Sequence, residues 1–261
     1  MVDLNLIKNY FPEQIRNNIL LGKSMMKEYI QLSILDYLST TQYIRKLIFI
    51  GGTNLRLVKG IDRFSEDLDF DCKEMNKEVF LQMSDDVLSA LRRNGYKVES
   101  KDKKSPKMTA FRRNIYFPQF LLDLGLSGHR EESFLIKLEA QDQGVNYTPE
   151  IKNINGCGFY FPFPVPPDAV LCAMKLAALL SRQKGRDFYD TMFLLGQTAP
   201  DYVFLSAKNG IHNLPELKSA VGKLLPNVDL KHKSSDFEHL LFTKDNSRRI
   251  GSFGEFIRQM K

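Results

Sequence analysis

The sequence predicts an α/β (α+β) protein: a small mixed sheet flanked by helices, followed by a helical C-terminal half. Three observations carry this. Short apolar or alternating runs, LIFI at Leu47–Ile50, DLDFD at Asp67–Asp71 and SFLIKLEA at Ser133–Ala140, alternate with helical-period segments in the first part of the chain. A proline- and glycine-rich stretch, Asn155–Pro167, then interrupts the pattern. Beyond it only helical periodicity remains, strongest over Asp168–Gln183 and Asp187–Gly196. The expected division is an α/β domain with an N-terminal helix over residues 1–160 and a helical domain over 161–261.

Taken in order, Pro12–Thr41 reads as a helix that Gly22 divides, with Ile15, Ile19, Met26, Ile30, Ile34 and Leu38 near helical period. Leu47–Ile50 is a fully apolar strand running into Gly51-Gly52, and Thr53–Lys59 is a short helix. Asp67–Asp71 alternates as a strand does. Asn76–Arg93 is an amphipathic helix closed by Asn94-Gly95. Tyr96–Lys101, Met108–Phe117 and Ser133–Ala140 are further strands, and Phe120–Leu126 fits either element. Asn155–Pro167 reads as a loop or linker.

The bulk composition is that of an ordinary globular protein: 261 residues, 43% hydrophobic and 26% charged. A net charge of +6 suits an acidic partner such as a nucleotide or nucleic acid. The three cysteines, Cys72, Cys157 and Cys172, make no disulfide framework, and the four histidines have no zinc-ligand spacing. A reducing cytoplasm is the simple expectation. The N-terminal stretch has no signal-peptide core, and no window approaches the ~20 apolar residues that span a bilayer.

The densest chemistry lies in GGTNLRLVKGIDRFSEDLDFDC, Gly51–Cys72. Residues two apart on a strand point the same way, so Asp67, Asp69 and Asp71 share one face while Leu68 and Phe70 face the core. Carboxylates so crowded repel unless a cation lies between them. An all-oxygen donor set suits a hard ion such as Mg²⁺, which binds through a few carboxylates plus substrate phosphates. Asp67 and Asp69 are the candidate metal ligands. Gly51 and Gly52, between a strand and a helix, let a phosphate chain approach free backbone N–H groups, and the Thr53 hydroxyl adds a donor. Arg56, on the same short helix, joins this nucleotide-binding set.

A second cluster is KLAALLSRQKGRDFYD, Lys175–Asp190. Lys175 and Arg182 lie on one helix face and are suited to neutralise triphosphate charge. Asp187 has two readings: it holds Lys175 or Arg182 in place, or it acts as a base on the attacking hydroxyl. A third stretch, KDKKSPKMTAFRR at Lys101–Arg113, reads either as a solvated surface or as a contact to an RNA backbone.

A Gly pair opening a helix, followed by Asp-x-Asp on the next strand, resembles the polymerase β-like nucleotidyltransferase superfamily. The fuller strings GGTNLRL…RFSEDLDF and KLAALLSR…RDFYD resemble one branch of it, the AbiEii-type nucleotidyltransferases of abortive-infection and type IV toxin–antitoxin systems. The resemblance spans about Ile48–Gly196. It implies a nucleotidyltransferase-like sheet, a metal-dependent transfer of NMP from an NTP with release of pyrophosphate, and Lys175 and Asp187 as catalytically essential groups. It implies a third metal-binding carboxylate on a later strand, for which Glu139 in IKLEA is the first choice and Asp123 its rival, and it implies a tRNA or other RNA acceptor and an antitoxin partner. The rival expectations are transfer to a protein or small molecule, or a nucleotide-binding module without catalysis.

Overall fold

A computed structural model of the chain describes residues 3–101 and 110–261. Most of the basic stretch Lys101–Arg113 therefore lies outside the described residues. The chain forms two compact units, and it passes between them more than once. The first comprises Met1–Gly60, Phe64–Gly144 and Pro149–Val165; the second comprises Ile61–Arg63, Val145–Thr148 and Pro166–Lys261.

The first unit begins with two short helices, α1 (Leu4–Lys8) and α2 (Glu13–Arg16), and then the long α3 (Gly22–Ser39). The helix predicted over Pro12–Thr41 is thus broken. Asn18 caps a separate 3-10 turn at Ile19–Leu21 through its side chain, and the long helix restarts at Gly22. α3 is buried nearly all round, from Met25 and Met26 to Leu38.

A five-stranded sheet follows, built from β1 (Leu47–Ile50), β2 (Asp67–Cys72), β3 (Glu99–Ser100), β4 (Phe111–Tyr116) and β5 (Leu135–Gln141). Its order is β1-β2-β5-β4-β3, with β2 and β5 parallel and the other pairs antiparallel. α4 (Gly51–Leu57) leaves β1 directly. α5 (Lys77–Arg93) packs against β4; Asn76 caps it by accepting the Val79 N–H, and Phe80, Met83, Val87 and Leu91 form its buried stripe. α6 (Phe120–Asp123) resolves the ambiguous segment as a single helical turn. The strand predicted over Tyr96–Lys101 shortens to β3.

The stretch read as a linker is instead half of a hairpin. β6 (Glu150–Gly156) and β7 (Phe159–Val165) pair antiparallel in a separate two-stranded sheet. Phe161, Phe163 and Val165 are buried, while Pro162 and Pro164 alternate between them. Each β strand of a two-stranded sheet has an unpaired edge, where proline's missing N–H is tolerated. Phe163 packs on Phe49 and Phe70, with ring centroids 6.0 and 6.1 Å away.

The second unit is helical: α7 (Asp168–Arg182), α8 (Gly185–Leu195), α9 (Tyr202–Asn209), α10 (Leu214–Leu224), α11 (Leu230–Ser235) and α12 (Phe253–Gln259). Asp201 and Asn213 cap α9 and α10 by accepting the Phe204 and Glu216 N–H groups. Phe188 of α8 meets Phe253 of α12 edge-to-face at 5.0 Å. At the start of α8, a Cβ on Gly185 would collide with the backbone carbonyl of Lys233. Backbone yields less readily than a side chain. Gly185→Ala is therefore expected to cost about 3 kcal/mol, read as a lowered midpoint in a thermal melt of the purified protein. Among the described residues, no helix is long and apolar enough to cross a membrane.

Candidate functional site

In the first unit, β2 places its acids as its alternation dictates. Leu68 and Phe70 are fully buried, and Asp67 and Asp69 sit on the opposite, partly open face. Asp71 departs from this pair. It is fully buried and accepts the Gln143 N–H at 2.9 Å, with Lys73 Nζ 3.9 Å away, so it pins the turn after β5.

The parallel register sets Asp67 beside Lys137 and Asp69 beside Glu139. All four side chains lie on the strands' more open face, while Leu138 and Ala140 face the core. Lys137 Nζ donates to Asp67 Oδ2 at 2.7 Å, and Arg112 of β4 pairs with Glu139 at 2.6 Å. Lys27 of α3, nearly buried, lies 3.6 Å from Glu66 and over the Phe134 ring. Burial lowers its ammonium pKa, partly opposed by Glu66 and Asp67. Sequence reasoning did not find Lys27, Lys137 or Arg112, because their approach to the acids depends on strand register and helix packing. Asp123, the rival third carboxylate, closes α6 instead.

Gly51 has φ +82°, and a Cβ there would collide with the Asp69 carboxylate. The glycine is required both for the backbone turn and for this close approach. Among the described residues no N-cap side chain bonds to the first turn of α4, and N–H groups at such a helix start can receive an anion. The Thr53 side chain is buried and its hydroxyl donates to the Asp67 carbonyl, tying α4 to β2. Arg56 forks onto Glu28 of α3 at 2.8 and 3.1 Å. Burial raises the Glu28 carboxyl above its ordinary range, and Arg56 opposes this only in part.

The donor chemistry of Asp67 and Asp69 fits a hard divalent cation. The pair is all oxygen, comes from one strand face, and lies beside a glycine turn that allows phosphate to approach. Among the described residues, no three His, Cys, Asp or Glu side chains form a metal cluster. Glu139 stands beside Asp69 in the parallel register, and an ion held by such carboxylates takes its remaining ligands from water and substrate phosphate.

In the second unit, the basic residues divide between two acids one helical turn apart. Lys175 Nζ donates to Asp190 Oδ2 at 2.8 Å, and Arg63 forks onto both Asp190 oxygens at 2.7 Å each. Arg63 and Asp190 are almost fully buried, and Lys175 nearly so. Burial pushes the Asp190 carboxyl upward, but Arg63 and Lys175 outweigh it and bring it to about 2. Asp187, also fully buried, accepts two hydrogen bonds from Arg182, at 3.0 and 2.7 Å, and the Lys184 N–H at 3.1 Å. Of the two partners weighed for Asp187, the structure selects Arg182; the partner of Lys175 is Asp190. The sequence sets Asp190 three residues after Asp187 but gives no role to it or to Arg63.

The family model for "Nucleotidyl transferase AbiEii toxin, Type IV TA system" matches residues 33–206, more than half of the chain. The chain belongs to this family. It is accordingly an AbiEii nucleotidyltransferase, an enzyme of a toxin–antitoxin system that takes an NTP as substrate and implies an antitoxin partner. Nucleotidyltransferases of this kind generally use a divalent metal. Among solved structures, the chain resembles MenT4, a nucleotidyltransferase toxin from Mycobacterium tuberculosis, with TM-score 0.58 and 16% identity over 100% of this chain and 91% of that one. It also resembles JHP933 from Helicobacter pylori, with TM-score 0.52 and 22% identity over 90% and 92% of the two chains. At these identities the likenesses bear on the fold, and they agree that an AbiEii chain carries a nucleotidyltransferase-like sheet. A search of curated proteins finds no significant match.

Proposed function

We propose that this AbiEii nucleotidyltransferase transfers NMP from an NTP to the end of a tRNA or another RNA, using Mg²⁺ held by Asp67 and Asp69. The observation that carries this is the pair of strand-face carboxylates set against the glycine turn at Gly51-Gly52. Gly51 and Gly52 receive phosphate oxygens on backbone N–H groups, and Thr53 and Arg56 hold α4 in place for them. Glu139 serves as the outer carboxylate, steadied by Arg112. When bound, the metal neutralises triphosphate charge and polarises the reacting phosphate.

In the second unit, Lys175 and Arg182 are the proposed triphosphate ligands, Asp190 and Asp187 being the acids that set their positions. Asp187 thus acts through Arg182 as a positioning residue. In the reaction, the acceptor's hydroxyl oxygen bonds to the α-phosphorus and gives up its proton to solvent, and the bond from the α-phosphorus to the α–β bridging oxygen breaks to release pyrophosphate. The net charge of +6 favours approach of a polyanionic acceptor, and a cytoplasmic antitoxin restrains the activity.

Purified protein incubated with Mg²⁺, total tRNA and each α-³²P-labelled NTP in turn is expected to label tRNA with one or two of the nucleotides and to stop in excess EDTA. Label on co-purifying protein with none on RNA would instead favour a protein acceptor. NTP binding without any transfer would favour a binding module.

A further inference from the structure

A cavity of about 520 Å³ opens in the first unit between α3 and α5, within the size range of sites for nucleotide-sized ligands. It shares no residue with the Gly51–Asp69 set. One wall comes from α3: Tyr29, Ser33, Asp36 and Tyr37 recur at helical spacing along a single face. The facing wall has an apolar base of Val87, Ala90 and Leu91, with Arg93 and Asn94 at its rim. Phe159 and Tyr96 complete the lining.

Three features are unlike a surface crevice. Tyr96 is 4% exposed, and its hydroxyl has no hydrogen-bond partner among the described residues. That oxygen is itself closed off from solvent, so Tyr96 forms part of the cavity floor and its hydroxyl does not reach a ligand there. Burial and neighbouring Tyr29 push the Tyr96 phenol well above its ordinary range. The half-buried Asp36 carboxylate likewise has no side-chain hydrogen bond or ion pair among the described residues, and burial raises its pKa. Arg93, exposed at the rim, has no ion-pair partner among them either, although Asp36 lines the same cavity.

Aromatic rings, a carboxylate acceptor and a rim guanidinium together match one ligand chemistry. Tyrosine and phenylalanine rings stack on a heteroaromatic base. A carboxylate accepts from the exocyclic amino or ring N–H groups of adenine, cytosine or guanine. The guanidinium suits a phosphate. We propose that this cavity binds a nucleotide unit, with an amino-bearing base against the tyrosines and Asp36 and its phosphate at Arg93. The unit is either a free mononucleotide or one residue of a single-stranded RNA. The assignment stands independently of nucleotidyl transfer.

The test titrates AMP, CMP, GMP, UMP and single-stranded RNA hexamers, in EDTA, against the Asp69→Ala protein, which retains the whole cavity. Isothermal calorimetry is expected to show saturable binding of at least one amino-bearing nucleotide, with UMP weakest. Asp36→Asn in that background should weaken it about tenfold or more and Arg93→Glu about threefold to tenfold, while Tyr96→Phe, whose hydroxyl is closed off from the cavity, should change it less than about twofold. Tyr96→Phe should not lower the melting temperature, because it removes an unpaired buried hydroxyl. A hexamer that binds at least tenfold tighter than its mononucleotide assigns the site to RNA; equal affinities assign it to free nucleotide. The proposal is overturned if no nucleotide or hexamer binds saturably, or if binding is unmoved by both Asp36→Asn and Arg93→Glu. Neither result bears on transfer, which the chelator and the Asp69 substitution have removed.

Discussion

Asp190→Ala is expected to destabilise the second unit by about 3–5 kcal/mol, lowering the melting temperature on the order of 10 °C. The size of the effect comes from what remains. Arg63 has 1% and Lys175 8% of its side chain exposed, and both lose a carboxylate that met them at 2.7–2.8 Å. Removing one member of a buried ion cluster leaves the other charges desolvated, which costs far more than the cluster contributes net. Asp187→Ala is the comparison. Its partner Arg182 has 45% of its side chain exposed and returns to water cheaply, so its loss should cost less, the forfeited Lys184 N–H bond included. Equal melting temperatures for the two variants would refute the argument.

The same carboxylate has a pH signature. Its folded pKa, about 2, is depressed below the ordinary value of 3.8. A depressed carboxylate contributes stability that is fully present above the unfolded pKa and is lost as pH falls through the folded one. The parent should therefore lose stability between roughly pH 4 and pH 2, on the order of 2 kcal/mol from this group, and Asp190→Ala should lack that component in urea titrations across the window.

Asp69→Ala is expected to reduce transfer on the order of a thousandfold while leaving the circular dichroism spectrum unchanged. Asp69 sits on the open face of β2, whose strand packing depends on Leu68 and Phe70. Shortening it removes a proposed metal ligand and opens space beside Gly51 without touching the core. Transfer retained within tenfold would sink the assignment of β2 as the metal-binding strand and leave the family membership standing. Labelled tRNA is the readout, with the same protein's melting curve as the control for folding.

Much of this was legible in the residues because the relevant forces are local. Alternation in DLDFDC dictates which acids are open, and only Asp71 departs, its carboxylate captured by the Gln143 N–H of a distant turn. Asn76 and Gly95 bracket α5 as capping chemistry demands. The Asn155–Pro167 stretch reads as a linker because proline breaks regular elements, whereas Phe-Pro-Phe-Pro-Val also alternates at period two, and Phe161, Phe163 and Val165 are the buried members. The pairing of bases with acids was not legible. Asp187 and Asp190 are one turn apart on the same helix, and only the packed structure decides which takes Lys175. Arg63 offers no sequence clue to Asp190, 127 positions away. Lys137 and Arg112 reach their acids through strand register, which a single strand's sequence does not encode.

That 127-residue separation has a consequence for synthesis. Ile61–Arg63 belongs to the second unit although nearly all of that unit follows Pro166. At about 5–20 residues per second on the ribosome, Arg63 precedes Asp190 by roughly 6–25 s. For that interval its guanidinium has not yet met the carboxylate that will bury it. The helical unit is consequently not a transferable cassette: a gene cut after Val165 would carry away Lys175, Asp187 and Asp190 but leave behind the arginine around which Asp190 is built.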